Sequence, residues 1–410
     1  MRAKLPDGWF WCPLNQVVGP PQYGLSLAAK PEGNMPIIGM KDIVDGQISD
    51  GPRTLVVASE SEIANCLLRQ GDLLLNRTNS PDLVGKMAVW SRDEAAVFAS
   101  YLVRYPARPE KAHPRFTLAA LSTSRSKQQI DRLVTRAISQ ANINPSAFYD
   151  EVEIAVPPLP EQERIVAVLD AWDQAIRHAK RLLEVKRRRF GGVMKQIIWN
   201  GSDDWRPLSE LMTISRDRVG SERSLEVYSV TREGLTPQIE QFSKRIANSD
   251  ISRHMILRPG EFALSGLNFW LGSVDVSSEK VDVCISPDYK VYRFKDCAHP
   301  QYFKYLVRSD AFREILVSCA VERASVVRKN FNRELFFESE VPVPSFSEQK
   351  CRSAILSAMS EEIAETAATI GALVKQKRGL MQKLLVGEWR LDRQFDLAAT
   401  QRAVQVGALA

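Results

Sequence analysis

Two segments of the chain carry apolar residues at steps that alternate between four and three positions, which is the period of a coiled-coil helix. In the first segment, nine of the ten positions reached by these steps from Ile165 to Ile197 are apolar. A slightly weaker set of positions runs from Arg352 to Leu384. The pattern predicts two long helices, each with one narrow apolar stripe. The seam residues assigned to these stripes are Ile165, Leu169, Trp172, Ile176, Leu183, Phe190, Ile197, Leu356, Met359, Ile363, Ile370, Leu373, Leu380 and Leu384.

The two helical segments are copies of one another at an offset of 187 residues, which aligns Glu161-Gln162 with Glu348-Gln349. Gly192 then aligns with Gly379, and Met194 aligns with Met381. Because this period is far longer than that of a solenoid repeat, it indicates two copies of one module. Each module consists of a globular part followed by a helix, which gives the chain an internal two-fold pseudo-repeat.

Each helix follows a short proline-rich step, "VPPLP" in the first copy and "VPVPS" in the second. Proline fixes an extended backbone and is tolerated at a first helical turn but not inside a helix. Glu161, Glu163 and Glu348 then fall in the first turns, where a negative charge complements the helix dipole. Gly201 and Gly387 are placed to end the two helices.

The apolar stripes predict an intrachain antiparallel pair of helices, since a globular part of about 140 residues separates the two segments and can return the chain. From Ile165 to Ile197 such a helix rises roughly 48 Å. The alternative is that each helix packs only on its own globular part. The paired glycines Gly191 and Gly192 predict either a bend or a softer helix end, because each costs about 1 kcal/mol relative to alanine.

The globular parts show short strand-like runs followed by helix-like stretches, which predicts a mixed α/β (α+β) fold in both copies. In the first part, strand-like runs lie at 35–43, 54–59, 72–78, 85–90 and 100–105, and a helix is expected over 115–134. In the second, strand-like runs at 260–265, 272–278 and 289–294 precede a helix-like stretch. The predicted division is a globular domain over 1–155, a spacer helix over 156–201, a second globular domain over 202–341, a second spacer helix over 342–391 and a tail over 392–410.

Composition narrows the class of protein. The chain has 410 residues with 44% hydrophobic and 25% charged content, which is ordinary for a globular protein, and it contains no apolar run of membrane-spanning length. Its six cysteines are scattered without a C-x-x-C pair, which argues against a zinc site or a disulfide framework and predicts a cytoplasmic protein. The net charge of +6 is compatible with a polyanionic partner.

Loops in both globular parts are rich in amide, hydroxyl and basic side chains, the groups that read base edges and hold phosphates in duplex DNA. The same residue types also form turns, so each loop has a purely structural alternative. The candidate DNA-binding residues are Asn76, Arg77, Asn79, Lys86, Gln140, Asn142, Asn144, Asn268, Tyr289, Lys290, Arg328, Lys329, Asn330 and Asn332.

Signatures of catalysis are missing from the sequence. It contains neither a G-x-G-x-x-G after a strand nor a P-loop, and its four histidines are dispersed. No catalytic residue, metal ligand or cofactor site is assigned. A chain with two globular ends and no catalytic core is expected to be a recognition subunit. The competing hypothesis is a coiled-coil scaffold or adaptor whose globular ends bind proteins.

The sequence resembles the specificity subunits of Type I restriction-modification systems over nearly its whole length. The resemblance rests on "VPPLPEQERIVAVLDAWDQAI" and "VPVPSFSEQKCRSAIL" at the helix starts, "KRGLMQKLLVGEWRL" near the end, and "DLLLNRTNSPDLVGK" in the first globular part. "SQANIN" and "VVRKNFN" precede the two proline steps.

That resemblance implies two target-recognition domains that read the halves of a split, asymmetric sequence in double-stranded DNA. It also implies a non-catalytic chain that binds two modification (methyltransferase) subunits and the restriction (ATP-dependent translocase/nuclease) subunits. S-adenosylmethionine, ATP and Mg are then expected in those partners, with no cofactor in this chain and no contact with a membrane. Helix positions outside the seam are the expected partner surface.

Overall fold

The computed structural model describes residues 5–391 apart from 81–82, 138–139, 202–203, 222–223, 242–250 and 323–328. The predicted tail over 392–410 and the candidate Arg328 therefore lie outside the described residues. Two compact units are present. The first consists of Met1–His178 with Ile370–Ala410, and the second of Ala179–Thr369. Each unit contains one β-rich part together with a segment of both long helices, which run over Leu159–Met194 and Phe346–Leu385.

The first unit is built mainly from short strands. They are Phe10–Pro13, Gln22–Tyr23, Met35–Ile38, Ile43–Val44, Gln47–Ile48, Thr54–Val56, Leu73–Asn76, Thr78–Asn79, Met87–Val89, Val97–Phe98, Leu102–Tyr105, Val134–Arg136, Ala141–Ile143 and Glu153–Val156. Its shorter helices are Glu60–Cys66, Pro114–Leu121, Ser124–Leu133 and Pro145–Glu151. Single turns of 3-10 helix lie at Leu14–Gln16 and Met40–Asp42.

The second unit repeats this plan. Its strands are Trp205–Pro207, Met212–Ser215, Val227–Thr231, Gly234–Pro237, Met255–Leu257, Phe262–Leu264, Val274–Val276, Val283–Ile285, Lys290–Phe294, Ala320–Glu322, Lys329–Phe331 and Glu340–Pro342. Its shorter helices are Leu208–Leu211, Gln238–Gln241, Pro300–Val307, Asp310–Ser318 and Arg333–Glu338, with a 3-10 turn at Phe269–Leu271. The predicted mixed α/β class is confirmed.

A four-stranded antiparallel sheet lies at the centre of each unit. In the first unit, Leu102–Tyr105 pairs with both Gln22–Tyr23 and Leu73–Asn76, and Met87–Val89 is the edge strand next to the latter. In the second unit the order is Met212–Ser215, Lys290–Phe294, Phe262–Leu264 and Val274–Val276. The central strands Leu73–Asn76 and Phe262–Leu264 are buried at every residue, because helices and further strands cover both of their faces.

A tight turn enters the central strand of both sheets by the same chemistry, over Arg69–Asp72 and Arg258–Glu261. The carboxylate of Asp72 accepts a hydrogen bond of 2.9 Å from the backbone N–H of Arg69, and Glu261 accepts one of 2.9 Å from Arg258. The glycine before each carboxylate has a positive φ, +88° at Gly71 and +78° at Gly260, which L side chains rarely adopt. The pseudo-repeat therefore extends from the helices into the β-rich parts.

A two-stranded ribbon closes each β-rich part immediately before its long helix. Phe10–Pro13 pairs with Glu153–Val156, and Trp205–Pro207 pairs with Glu340–Pro342. The proline steps follow these ribbons and direct the chain from strand to helix. The first and last strands of each β-rich part thus meet at the base of the helix.

The two long helices pack antiparallel within each unit, which confirms the predicted pair. In the first unit Lys377 Nζ lies 2.6 Å from Asp173 Oδ1, and Leu384 shares a core with Ile165. In the second, Lys186 Nζ lies 2.8 Å from a carboxylate oxygen of Glu362. Residue numbers rise along one helix as they fall along the other in both places.

Every predicted seam position is buried or half-buried in its own unit. The ends of the helices also pack on the β-rich parts, Leu169 in the first unit and Leu356 in the second. The ends of the long helices therefore pack on the β-rich parts, and the remaining seam residues pack between the two helices. No described helix is both long and apolar enough to span a bilayer.

One local expectation is corrected. The helix predicted over 115–134 is two helices, because Thr123 caps a new N-terminus by accepting from the Ser126 N–H at 3.3 Å. Gly191 and Gly192 lie in the last turn of the first long helix, which continues to Met194 and then adds a π-helical turn at Lys195–Trp199. The second long helix ends at Leu385, and Gly387 follows at a φ of +76°.

Candidate nucleic-acid interface

A cleft of about 950 Å³ opens at one end of the central sheet in the second unit. Met212–Ser215 and Lys290–Phe294 run antiparallel with Ser215 opposite Val291, so the residues after Ser215 and those before Lys290 leave the sheet at the same end. The hairpin strand Lys329–Phe331 forms another wall. Three loops from separate parts of the sequence therefore converge on one concave surface.

Positive charge dominates the lining of this cleft. Five cations line it, Arg216, Arg218, Lys290, Lys329 and Arg333, against the two carboxylates of Asp288 and Glu334. Arg216 is exposed, and none of the described side chains pairs with it. A concave surface with excess cations attracts polyanions.

Asp217 lies between Arg216 and Arg218 in the sequence, but its carboxylate pairs with another arginine. Arg258 Nη1 lies 2.7 Å from it, and the hydrogen bond from Arg258 lowers the pKa of Asp217. Arg218 uses one guanidinium hydrogen to donate to the Arg253 carbonyl at 2.9 Å. Among the described residues, Asp217 therefore forms ion pairs with Arg258 and Arg293 and none with Arg216.

The cleft brings together five of the candidate residues, namely Tyr289, Lys290, Lys329, Asn330 and Asn332. Tyr289 is half-buried there, and this burial raises the pKa of its hydroxyl. Asn268 is exposed in the loop beyond the lining residue Leu267.

The sequence analysis missed the three arginines of this cleft, Arg216, Arg218 and Arg333. A signal for two of them exists in "SRDRVG", where arginines at alternate positions directly follow a strand. Alternate side chains of an extended segment share one face, so both could have been placed together.

The first unit carries a corresponding surface built on the equivalent hairpin, Val134–Arg136 with Ala141–Ile143. Asn142 is exposed there, and its Oδ1 accepts from the Thr78 hydroxyl at 2.8 Å and from Arg77 Nη1 at 3.3 Å. The Arg77 guanidinium carbon stands 5.3 Å from the ring centre of Tyr23, which is 56% exposed. Arg77 and Asn142, both candidates, thus form one cluster with Tyr23, which the sequence analysis did not single out.

Three candidate asparagines turn out to have structural roles. Asn76 is fully buried, and its Nδ2 donates to the Leu83 carbonyl at 3.3 Å, so it is corrected to a core residue. Asn144 and Asn332 are helix N-caps, accepting from the N–H groups of Ser146 at 2.9 Å and Glu334 at 3.0 Å. Their carbonyl oxygens are occupied because an N-cap must satisfy backbone donors of the first helical turn.

The remaining candidates in the first unit differ in exposure. Lys86 and Gln140 are exposed. Asn79 is half-buried, with its Oδ1 accepting from the Ser80 N–H at 2.8 Å. These three residues stay predictions.

Residues 24–187 match the family described as Type I restriction modification DNA specificity domain. One curated relative is named as the type I restriction enzyme MjaX specificity subunit of Methanocaldococcus jannaschii. It is 25% identical to this chain over 247 residues, which are 59% of this chain and 58% of that relative. The chain thus spans little more than half the length of this curated relative. Over residues 24–187 the chain is therefore similar to the Type I restriction modification DNA specificity domain.

Solved structures show the same fold. A chain from a structure on complex assembly and conformational transition of the type I R-M system superposes with a TM-score of 0.58 and 19% identity, covering 95% of this chain and 100% of that one. The S subunit of a Type-I restriction-modification system from M. genitalium superposes with a TM-score of 0.55 and 14% identity, covering 93% of this chain and 98% of that one. A fold of two β-rich domains linked by two long packed helices is therefore shared with these two solved structures.

In this chain, a buried glutamine ties each β-rich part to its long helix. Gln162 is 1% exposed, donates to the Pro157 carbonyl at 2.8 Å and accepts from the His113 N–H at 2.8 Å. Gln349, also 1% exposed, donates to the Pro344 carbonyl at 2.8 Å and accepts from the His299 N–H at 2.8 Å. The glutamine amide supplies both a donor and an acceptor, whereas the carboxylate of a glutamate at the same position would only accept.

The glutamates of the two pairs have different partners. Glu161 is 3% exposed and paired with Arg390, whose Nη2 lies 2.9 Å from it. Glu348 instead accepts from the Ser345 hydroxyl at 2.7 Å and its N–H at 3.0 Å, which lowers the pKa of its carboxyl. The expected complement to the helix dipole is thus a capping box in the second helix and a buried ion pair in the first.

Proposed function

We propose that this chain is the DNA specificity subunit of a Type I restriction-modification system, in which each β-rich part binds one half of a split target in double-stranded DNA. The observation that carries the proposal is the pair of corresponding surfaces, one in each unit. Each is built on the hairpin that precedes an asparagine-capped helix, and each presents cationic and amide side chains.

The two surfaces differ in shape and residues, which supports an asymmetric target. The second is a cleft of about 950 Å³ with five lining cations. The first is a cluster in which Arg77 lies against an exposed tyrosine. Because different side chains present different donors and acceptors to base edges, the half-sites should differ in sequence.

The family match over residues 24–187 supports partners as well as DNA. We propose that two modification subunits supply methyl transfer with S-adenosylmethionine, and that restriction subunits use ATP and Mg, while this chain contributes recognition only. The long helices offer apolar side chains to such partners, among them Leu182 at 49% and Val185 at 60% exposure on the first helix. These positions lie outside the predicted seam.

A random-sequence duplex selection at physiological salt tests this function, using the full chain co-purified with its modification subunit. We expect one asymmetric sequence, interrupted by a fixed number of unspecified bases. Binding should weaken steeply as salt rises, because cations that contact phosphates release counterions. Recovery of no sequence from an intact complex, with affinity insensitive to salt, would favour the protein-binding scaffold instead.

A further inference from the structure

Arg77 is held in one position by its backbone. Its N–H donates to the Tyr101 carbonyl at 3.2 Å, and its own carbonyl accepts from the Ile143 N–H at 2.8 Å. The residue stands where the chain leaves strand Leu73–Asn76 for strand Thr78–Asn79, and so between two different sheets. Its Cα is therefore fixed from both sides.

The side chain of Arg77 is oriented as well. Its guanidinium carbon lies 5.3 Å from the ring centre of Tyr23, and Nη1 donates to Asn142 Oδ1 at 3.3 Å. Asn142 Oδ1 is in turn held by the Thr78 hydroxyl at 2.8 Å. Contact with an aromatic ring and a hydrogen bond to an anchored amide restrict the orientation of the guanidinium, in addition to supporting its charge.

Local ion pairing does not explain this arrangement. Other arginines of the first unit meet carboxylates, such as Arg104 with Asp72 at 3.5 Å and Arg115 with Asp170 at 2.7 Å. The ion pairs among the described residues do not include Arg77, and its Nε is a buried donor that has no protein acceptor there. The remaining Nη hydrogens are left for a ligand rich in hydrogen-bond acceptors.

A pre-oriented guanidinium fits guanine better than it fits a phosphate group. Guanine presents two acceptors, O6 and N7, on its major-groove edge, and arginine binds them with two parallel hydrogen bonds. A backbone phosphate can also accept two hydrogen bonds from arginine, but it binds the mobile ammonium of lysine as well, so it does not require a guanidinium plane that is fixed in advance. Fixing the plane in advance lowers the side-chain entropy lost on binding, which benefits the two-bond contact most.

We propose that Arg77 reads a guanine in the half-site bound by the first unit, with Tyr23 and Asn142 as positioning residues. This inference rests on the proposed function, because it assigns one base of the target and the residue that selects it. It predicts that this half-site contains a required G·C pair.

The test compares random-library selections for the wild-type chain and the variants Arg77→Ala, Tyr23→Ala, Tyr23→Phe and Asn142→Ala, each as the full chain with its modification subunit. Arg77→Ala should abolish the preference at one G·C position, a loss of about 5- to 150-fold in discrimination. Tyr23→Ala and Asn142→Ala should weaken the preference at the same position. Tyr23→Phe should retain it, because the ring remains.

Different results separate the possible failures. A wild-type selection without any motif would overturn the proposed function itself. A split motif that Arg77→Ala leaves unchanged, or in which the affected position is not G·C, would overturn only the guanine assignment. Uniform weakening on all sequences with a smaller salt slope would make Arg77 a phosphate contact. If Arg77→Ala does not fold, the variants at exposed Tyr23 and Asn142 decide the question through the same position.

Discussion

Replacing Gln162 by alanine removes the side chain that joins the first β-rich part to the first long helix. The change leaves the His113 N–H and the Pro157 carbonyl without their hydrogen-bond partner at a site where the glutamine is 1% exposed. Each unsatisfied buried group costs about 1–3 kcal/mol. Some water will enter the space, so we expect a loss of about 3 kcal/mol in the free energy of unfolding of the first unit.

Scanning calorimetry and denaturant titration of the full chain measure this loss. About 3 kcal/mol corresponds to a fall of about 6–12 °C in Tm for a unit of this size. Gln349→Ala, at the equivalent position, should lower the stability of the second unit by a similar amount. Gln174→Ala, on the exposed face of the same helix, is the matched control and should change stability by less than about 0.5 kcal/mol. A Gln162→Ala loss no larger than that of the control would refute the connector role.

Two further predictions concern charge. Arg390→Ala leaves the buried Glu161 carboxylate unpaired and should lower the free energy of unfolding by about 2–3 kcal/mol in the same calorimetric assay. A variant as stable as the wild type would contradict a stabilising role for this ion pair. Burial lowers the pKa of His113 and His299 in the folded chain. Below about pH 6.5 the unfolded chain therefore binds more protons than the folded one. The free energy of unfolding should then decrease as the pH is lowered. His113→Asn with His299→Asn should flatten this fall, exposed His178→Asn being the control; an unchanged slope would contradict it.

The helix pair was predictable because its information is local and periodic. A stripe that repeats from Ile165 to Ile197 and again from Arg352 to Leu384 admits few arrangements, and the repeat supplies the partner. The glutamine connector was not predictable in the same way. Its partners, such as His113 and Pro157, come from distant or irregular positions, and charge alone directs attention to the neighbouring glutamate.

The interface was only partly accessible from residue types. Arg77 and Asn142 were found, but Asn144 and Asn332 share their composition and serve as N-caps. An asparagine that caps a helix and an asparagine that contacts a base use the same amide group, so the sequence alone does not distinguish the two roles. Arg333 was missed because it begins a helix, and only the folded chain brings it to the same cleft as Arg216, which is far away in the sequence.

The proposed function predicts that the helix pair sets the separation at which the two half-sites are bound. Deleting one heptad from each helix, residues 177–183 together with 367–373, shortens the pair by about 10 Å while keeping its seam in register. Random-library selection of this variant should return both half-sites unchanged, with a spacer shorter by about three base pairs. Unchanged spacing, or a spacing change accompanied by altered half-sites, would contradict the account.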